Sequence, residues 1–507
     1  YMGHRVTADV TAFKDNWLEF ALTRKAWGVA ADQRASTHPV AGNGAPDADS
    51  ALNDFDGISY AKGAAALRQL NAYLGDDDFI QGVTNYLHEH AYGNASLDDL
   101  LRSWQAVSGK DVDSWSRVWL RTEGIDTLAV RVTPDHGPVI ERTNGSPIEV
   151  SRPHAVTVTS YADGRAPASE RVVITEDRTP VHLETDRSLL LPDSADQSWA
   201  KLHLDDSSVE AAPDLLRTIP DPVSRAVFWG ALRESMLDAE LDPAILVDIL
   251  VAALPHEPSD MIIERVLGTG GGYGATSHVG TYLNLDDHRA RLAELAQILL
   301  DESAPGSNRQ LVASRAVVSL TREETVLKAW LGAQAPSGLR VDAEFRWRLL
   351  RALCSMGAAG IEAIEAERRL DPSSQGAIFA LGCQARLPDA AAKARVWGRI
   401  TTEAELTNYQ LYELCRHFFG PTDSDVTASY VARYFEEMPR TAALRSGWVV
   451  ETSTQLAFPL HSATVDTLDL AVTRLLDDDL TVGVRRAIAD RTDDLRRVVA
   501  SRQKFGA

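Results

Sequence analysis

A helical pattern that runs almost without interruption from about residue 207 to the end of the chain constrains the fold most. Proline or glycine interrupts this pattern repeatedly and leaves segments of about the length of an ordinary helix. No fixed repeat is found. Apolar residues recur there at three- and four-residue spacing, as in Val223, Val227, Phe228, Ala231 and Leu232. We therefore predict a large C-terminal α-helical domain over residues 207–507, in which antiparallel helix pairs stack side by side.

Between residues 126 and 206 the apolar period changes to two. The candidate strands are short, rich in β-branched residues and separated by Pro, Gly, Asn and Asp: Leu128–Val132, Ile148–Val150, Ala155–Tyr161, Arg171–Ile174, Val181–Glu184 and Ser188–Leu191. Such regularly spaced strands predict a small β-sandwich. The histidines of this segment are scattered, so we interpret them as surface or core side chains and not as metal ligands: His136, His154, His182 and His203.

Residues 1–125 form a further helical segment. Its amphipathic stretches are predicted at 11–27, 57–74, 76–90, 96–108 and 111–121. Ser96, followed three residues later by Asp99, resembles a capping box at the start of one helix. The whole chain is therefore predicted to be mostly α and multidomain, with domains at 1–125, 126–206 and 207–507.

The segment Asp54–Ala64, Asp-Phe-Asp-Gly-Ile-Ser-Tyr-Ala-Lys-Gly-Ala, carries the most chemical information. Apolar residues follow Ile58 on more than one side, so this helix is expected to be buried nearly all round, with the Tyr60 phenol on it. Gly63 is easiest to understand if a neighbour packs too closely to admit a Cβ. Chemistry alone leaves two interpretations open: a core tyrosine bonded to a backbone carbonyl, or a phenol that serves a reaction.

This segment resembles the zinc aminopeptidases of the aminopeptidase N family, whose pattern aromatic-Asp-x-Ile-x-Tyr-x-Lys-Gly-Ala it reproduces nearly letter for letter. Upstream, Ser36–Val40 is similar to the family's Ser/Thr-His-Pro-aliphatic segment between catalytic helices. Downstream, several shorter motifs fall in family order: Leu74-Gly75-Asp76, Tyr92–Ser96, Trp119, Gly124, Leu189–Pro192 and Asp342–Trp347. The last two look like actinobacterial members, so the resemblance covers essentially the whole chain.

The resemblance implies that residues 1–125 are the C-terminal helical part of a thermolysin-like catalytic domain, and that the C-terminal domain is a HEAT-like superhelix covering the active site. It also implies that Tyr60 is catalytic and donates a hydrogen bond to the oxyanion of a tetrahedral intermediate. Phe55 is expected to bind substrate in the pocket for the first side chain. Lys62 and Asp56 are expected to be structural ions of the motif.

The family's zinc site is missing from this sequence. That site requires His-Glu-x-x-His on one helix and a third carboxylate ligand, and none of the thirteen histidines lies in such a motif. In the nearest string, His88-Glu89-His90, the two histidines point to different sides of a helix. The substrate-amine motif Gly-x-Met-Glu-Asn is absent as well. Tyr1-Met2-Gly3 resembles the family's sequence just past the third ligand. We therefore expect the C-terminal portion of a longer enzyme with one zinc ion, and a chain that is inactive alone.

Charge and composition exclude other classes. The net charge of −21, with 72 acidic against 51 basic residues, argues against a nucleic-acid partner. No run of 18 apolar residues exists, so no membrane span is predicted. Cys354, Cys383 and Cys415 are widely spaced and odd in number, which is typical of reduced structural thiols and favours the cytoplasm.

Two further interpretations remain open at this point. The chain could be a metal-free helical scaffold or a peptide-binding protein, whereas an epoxide hydrolase of the kind some relatives carry needs the same zinc and an acid that we do not locate.

Gly268–Gly274 with Ala275 formally matches a loose dinucleotide fingerprint. No strand precedes it, so we predict an interhelical loop. Peptides are the expected substrates, and the sequence carries no mark of an oligomeric state.

Overall fold

The computed structural model describes residues 1–42, 44, 55–133, 137–183, 188–268, 274, 280–283, 286–420 and 424–506. They separate into two compact units. The first comprises Tyr1–Leu241 and Asp248–Ile262, and the second comprises Asp242–Val247 and Ile263–Ala507. The domain bounds at 125/126 and 206/207 stay predictions.

The first unit begins with helices. Their bounds are Met2–Val10, Asn16–Glu19 continued by a π-helical turn Phe20–Lys25 and by Ala26–Asp32, the π-helical turn Ile58–Lys62 continued by Gly63–Leu74, then Asp76–Glu89, Leu97–Ser108 and Val112–Trp119. Four of the five predicted stretches are confirmed to within a few residues. The capping box is confirmed too, because Ser96 N donates to Asp99 Oδ2 (2.8 Å) and Asp99 N to Ser96 Oγ (3.3 Å).

The predicted stretch 11–27 is wrong. One helix ends at Val10 and the next runs from Asn16 to Asp32. The hydroxyl of Thr11 donates to the carbonyl of Thr7 (2.6 Å) and accepts from the amide of Phe13 (3.1 Å). This side chain therefore closes the first helix at the place where the apolar pattern predicts a new one.

The described residues between 126 and 203 form seven strands: β1 Asp126–Thr133, β2 Gly137–Thr143, β3 His154–Ala162, β4 Ala168–Ile174, β5 Arg178–Pro180, β6 Ser188–Leu191 and β7 Ala200–His203. They form two sheets, in the orders β5-β2-β1-β7 and β4-β3-β6. β1 pairs antiparallel with β2, with Val130 opposite Ile140, and parallel with β7. The segment predicted to be a small β-sandwich is thus confirmed to form two small sheets.

Two predicted strands are wrong. Ile148–Val150 is not a strand, because the amide of Asn144 donates to the carbonyls of Ser146 and Ile148 and holds a turn there. The strand predicted at Val181–Glu184 lies earlier, at Arg178–Pro180, and Glu184 itself is outside the described residues. β2 and β7 were not predicted.

A buried ionic cluster joins the two sheets. Asp126 on β1 accepts from Arg152 Nη1 (2.5 Å) and lies 3.0 Å from Nε2 of His154 on β3. The other ring nitrogen of His154 lies 2.7 Å from the hydroxyl of Ser198. Burial lowers the pKa of His154, although Asp126 opposes the shift. His154 is therefore a core side chain, as predicted.

The other histidines of this segment also fit the prediction where the structure describes them. The side chain of His182 is exposed and lies 3.1 Å from Glu170, whereas His203 is partly buried and lies 3.4 Å from Asp238. His136 lies outside the described residues.

The strands are followed by helices up to residue 505. Their bounds are Asp206–Leu215, Pro222–Leu237, Pro243–Ala253, Asp260–Leu267, Asp286–Asp301, Asn308–Leu320, Glu324–Leu331, Ala343–Ser355, Ile361–Leu370, Ser374–Ala385, Ala390–Thr402, Asn408–Phe418, Ser424–Glu437, Gly447–Leu456, Val465–Leu475 and Val482–Phe505, with short 3₁₀ turns at Leu216–Thr218, Leu254–His256 and Pro439–Ala443.

In the second unit, helices pack on their next-but-one neighbours. One row contains Ala343–Ser355, Ser374–Ala385, Asn408–Phe418, Gly447–Leu456 and Val482–Phe505, and the other contains Ala390–Thr402, Ser424–Glu437 and Val465–Leu475. Adjacent helices from the two rows also contact each other. This two-row packing confirms the prediction of stacked, HEAT-like helix pairs.

The glycine-rich stretch follows the helix Asp260–Leu267 and not a strand, which agrees with the rejection of a dinucleotide site. Gly270, Gly272 and Ala275 are outside the described residues.

The three cysteines are buried free thiols, as predicted. Among the described helices, none combines the length and apolar character needed to cross a membrane.

The buried carboxyl group of Asp193 in the first unit should make the free energy of unfolding depend on pH. Asp193 accepts the backbone N–H groups of Gln197 (2.6 Å) and Ser198 (2.8 Å), and the Lys25 ammonium lies 4.0 Å from it. Burial nevertheless raises the pKa of Asp193 to about 7. In the unfolded chain an aspartate has a pKa of about 3.9. The contribution of Asp193 to the free energy of unfolding is therefore full below about pH 4 and lost as the pH rises through about 7.

We expect Asp193→Asn to lack this component, so that its free energy of unfolding falls less between pH 5 and pH 8 than that of the unaltered protein. Urea unfolding at the two pH values measures the difference. Asp163→Asn, at an exposed turn between β3 and β4, is the control and should keep the unaltered pH dependence. Equal pH dependence in Asp193→Asn and the unaltered protein would show that Asp193 does not titrate in this range.

Candidate active site around Tyr60

The segment around Tyr60 begins its helix in a π-helical turn. The carboxylate of Asp56 accepts from the backbone N–H of Ile58 (2.8 Å) and of Ser59 (3.2 Å), so Asp56 satisfies donors that the helix itself leaves unpaired. The π-helical turn covers Ile58–Lys62, and a regular helix follows from Gly63. Single π-helical turns inside α-helices are rare overall, but many of those that exist lie at functional sites.

Tyr60 projects from this turn towards the outside of the protein. Its side chain is 55% exposed, so the expectation that this helix is buried nearly all round is wrong at Tyr60. The π-helical turn explains the error, because it shifts the residues after Ile58 relative to the 3.6-residue apolar stripe. Within the part of the chain that the structure describes, no hydrogen-bond partner contacts the phenolic hydroxyl. The interpretation as a core tyrosine bonded to a carbonyl therefore finds no support.

Phe55 lies beside Tyr60. The ring centroids are 5.6 Å apart, with an angle of 59° between the planes, and the Phe55 side chain is 66% exposed. The structure thus brings the two predicted site residues together at one exposed aromatic surface.

His38 connects the upstream Ser-Thr-His-Pro-Val segment to this turn. Its Nε2 lies 3.2 Å from Oδ2 of Asp56, and its Nδ1 lies 2.8 Å from the carbonyl of Pro39. Burial alone would raise the pKa of Asp56, but His38 and the backbone N–H groups of Ser59 and Ile58 lower it below its usual range. A charged Asp56 is thereby favoured at the helix start, as expected for a structural ion.

Lys62 leaves the same turn on the opposite side. Its side chain is fully buried, with Nζ 3.0 Å from Oδ2 of Asp32 and within 3.3 Å of the carbonyls of Thr122 and Gly124. Burial lowers the pKa of Lys62, and Asp32 opposes the shift. These contacts agree with the expectation that Lys62 is structural.

Asp32 is the residue of this site that sequence reasoning missed. In addition to Lys62, it accepts hydrogen bonds from Trp199 Nε1 (2.9 Å), the hydroxyl of Thr37 (2.6 Å) and the backbone N–H of Gly124 (3.2 Å). Trp199 lies 167 positions away in the sequence, immediately before β7. No local pattern marks a contact over that separation.

The close packing expected at Gly63 occurs at Gly28 and Gly57 instead. A Cβ on Gly63 would make only ordinary contacts, the nearest at 3.5 Å to Val40. A Cβ on Gly57 would lie 2.7 Å from Cα of Gly28, and one on Gly28 would lie 2.6 Å from the Trp199 ring. Two helices therefore meet backbone to backbone beside the π-helical turn.

The described residues do not fit a zinc site. In that part of the chain, no group of three or more His, Cys, Asp or Glu side chains could hold a metal ion. His88 and His90 lie at the end of the helix Asp76–Glu89, where His88 is exposed. The chemistry that this site offers is therefore that of an exposed phenol beside an aromatic ring, on a turn fixed by buried charges.

Comparison with protein families gives two matches. The model described as the Peptidase family M1 domain matches residues 1–119, and the model described as the ERAP1-like C-terminal domain matches residues 189–497. The second match alone covers more than half of the chain.

Individual relatives agree with these matches. The chain is 29% identical over 518 residues to Aminopeptidase N of Streptomyces lividans, which covers 96% of the chain and 59% of that relative. It is 32% identical over 133 residues to Leucyl aminopeptidase of Saccharolobus solfataricus, covering 26% of the chain and 17% of the relative. It is 33% identical over 130 residues to the Tricorn protease-interacting factor F2 of Thermoplasma volcanium, covering 26% of the chain and 16% of the relative.

The chain thus spans 59% of the Streptomyces relative and a much smaller share of the other two. Tyr60 and its supporting residues up to Trp119 lie within the M1 match, whereas Trp199 lies within the ERAP1-like match. The chain therefore belongs to the family of the ERAP1-like C-terminal domain, and its residues 1–119 match a Peptidase family M1 domain.

Proposed function

We propose that the whole protein is a zinc-dependent aminopeptidase that removes N-terminal amino acids from peptides, in which Tyr60 stabilises the tetrahedral intermediate. The observation that carries the proposal is the Tyr60 side chain, exposed on a π-helical turn that buried polar contacts fix on its other side. The names of the relatives support the reaction class. We propose that the zinc ligands lie outside the residues that the structure describes, which hold no group able to bind a metal ion.

The role of Tyr60 follows from the chemistry of its hydroxyl. When a nucleophile attacks a peptide carbonyl, the electron pair of the C=O bond moves to the oxygen and creates an oxyanion. A phenol keeps its proton at neutral pH and can donate a hydrogen bond to that oxygen. This hydrogen bond strengthens as charge develops, so it lowers the barrier more than it tightens substrate binding.

Phe55 is proposed to line the pocket for the first side chain of the substrate. Its ring is apolar, exposed and within van der Waals reach of the Tyr60 ring. A substrate side chain lying on Phe55 would place the following carbonyl near the Tyr60 hydroxyl. We also propose a cytoplasmic location, because the three cysteines are buried free thiols, which persist in reducing compartments.

Hydrolysis of aminoacyl-nitroanilides by the whole protein tests the proposal. We expect turnover of substrates with a free amino group, loss of turnover in the presence of a metal chelator, and a rate at least about 10²-fold lower for N-acetylated substrates, because an aminopeptidase recognises the terminal amine. This chain alone should show no turnover. A whole protein that holds no zinc, binds peptides and hydrolyses none of these substrates would instead support the peptide-binding interpretation.

A further inference from the structure

We propose that the buried contacts Trp199–Asp32–Lys62 set the orientation of Tyr60, and that Lys62 and Asp32 are positioning residues for the reaction. This inference rests on the function proposed for Tyr60. It concerns residues that do not touch the substrate and act through the turn.

The first step is the geometry of the turn. Tyr60 and Lys62 are two residues apart in one π-helical turn, and their side chains leave it on opposite sides, since Tyr60 is 55% exposed and Lys62 is 0% exposed. A rotation of this turn about its axis moves both side chains together. Holding the Lys62 ammonium therefore holds the direction in which the phenol points.

The second step is the number of elements that hold the ammonium. Lys62 contacts Asp32 at the end of one helix and the carbonyls of Thr122 and Gly124, which lie between the last helix of the M1 match and β1. Asp32 is in turn held by Trp199. A buried ion pair of this kind is costly to break, because removal of one partner leaves the other charge buried and uncompensated.

The third step is the rigidity of the carbonyls that Lys62 meets. Arg152 holds this connecting segment through the carbonyl of Glu123 (2.8 Å) and the hydroxyl of Thr122 (2.8 Å), and it holds the end of the preceding helix through the carbonyl of Val118 (3.1 Å). Its guanidinium also pairs with Asp126 at 2.5 Å. The carbonyls that Lys62 contacts therefore lie on a segment that Arg152 holds, and Asp126 on β1 holds Arg152 in turn.

A double-mutant cycle on kcat tests the inference in the whole protein. We expect Lys62→Met to lower kcat by about 10- to 100-fold with KM within about twofold, because a displacement of about 1 Å can cost about 10²-fold. In a Tyr60→Phe background the same substitution should lower kcat by less than about threefold, since the group that it positions is already gone. A purely structural role predicts losses that multiply.

Lys393 provides a matched control. It is also fully buried, and its ammonium contacts the carbonyls of Ala385 (2.7 Å) and Phe418 (2.5 Å), in the second unit. Lys393→Met should lower the midpoint of unfolding and leave kcat within about twofold. An equal kcat loss in Lys393→Met would show a general effect of removing a buried ammonium and would overturn the inference.

Trp199→Phe is the second variant and decides the question if Lys62→Met does not fold. It removes the indole N–H donor to Asp32 and keeps a similar ring, so kcat should fall by about three- to tenfold, and this loss should also disappear in the Tyr60→Phe background. Unchanged kcat, or losses that multiply with Tyr60→Phe, would overturn the inference. If Tyr60→Phe itself keeps full turnover, the proposed function of Tyr60 fails, and that outcome is distinct from the failure of the positioning role alone.

Discussion

Replacement of Tyr60 by phenylalanine is expected to lower kcat for aminoacyl-nitroanilides by about 10²- to 10³-fold, which corresponds to about 3–4 kcal/mol of transition-state stabilisation. The variant keeps the ring that contacts Phe55 and loses only the hydroxyl. Because this hydroxyl has no hydrogen-bond partner among the described residues, its removal should leave the fold unchanged. KM should therefore stay within about twofold, since the lost hydrogen bond matters mainly in the transition state.

Steady-state kinetics of the whole protein measures this effect. Tyr92→Phe is the control, because Tyr92 is an exposed tyrosine as well and lies just after the helix Asp76–Glu89, away from the π-helical turn. The control should keep kcat within about twofold. A Tyr60→Phe variant that turns over at the unaltered rate would remove the oxyanion role from this residue.

Replacement of Gly57 by alanine is expected to lower the free energy of unfolding by about 2 kcal/mol or more. The added Cβ would lie 2.7 Å from Cα and 2.9 Å from the amide nitrogen of Gly28, and 2.9 Å from the carbonyl oxygen of Trp27. All three neighbours are backbone atoms, so the helices must separate to admit the methyl group. Overpacking of this kind costs about 1–3 kcal/mol or more, and it exceeds the gain of about 1 kcal/mol from alanine's better helix propensity.

Gly63→Ala, six residues further along the same segment, is the control. Its Cβ would meet Val40 at 3.5 Å and the carbonyl oxygen of Ile58 at 3.9 Å, which are ordinary contacts. Urea unfolding should show this variant to be unchanged or up to about 1 kcal/mol more stable. Similar stability of Gly57→Ala and Gly63→Ala would contradict the backbone-to-backbone packing at Gly57.

Periodicity predicted most of the elements that surround the site. The helix that carries Tyr60, the helix that starts at Leu97 and the stacked helices after residue 343 are amphipathic over several turns, and local patterns of that length are strong signals. The capping box at Ser96 could also be predicted, because its two partners are three residues apart. The resemblance located Tyr60 and Phe55, which periodicity alone could not select.

Other features depend on contacts between distant parts of the chain. The exposure of Tyr60 follows from a π-helical turn, which shifts the apolar stripe in a way that a 3.6-residue period does not contain. The close contact between Gly57 and Gly28 depends on which helix packs against the π-helical turn. Because Gly28 is 29 positions from Gly57, no local pattern indicates this contact. The interactions of Asp32 with Lys62 and Trp199 likewise join segments that no short motif connects.

The turn around Tyr60 thus combines an exposed phenol with supports that are buried on its other side. His38 and Asp56 hold its start, and Lys62 and Asp32 hold its end. Asp56 carries a pKa below its usual range because His38 and two backbone N–H groups favour its charged form. A side chain on such a turn is preorganised, which is what stabilisation of a developing charge requires.

The affinity of a tetrahedral transition-state analogue tests the central claim most directly. In the whole protein, Tyr60→Phe should raise the inhibition constant of a phosphinic dipeptide analogue by about the same factor as it lowers kcat/KM, about 10²- to 10³-fold, because both report the hydrogen bond to the tetrahedral oxygen. An inhibition constant that is the same in the variant and the unaltered protein would contradict the account.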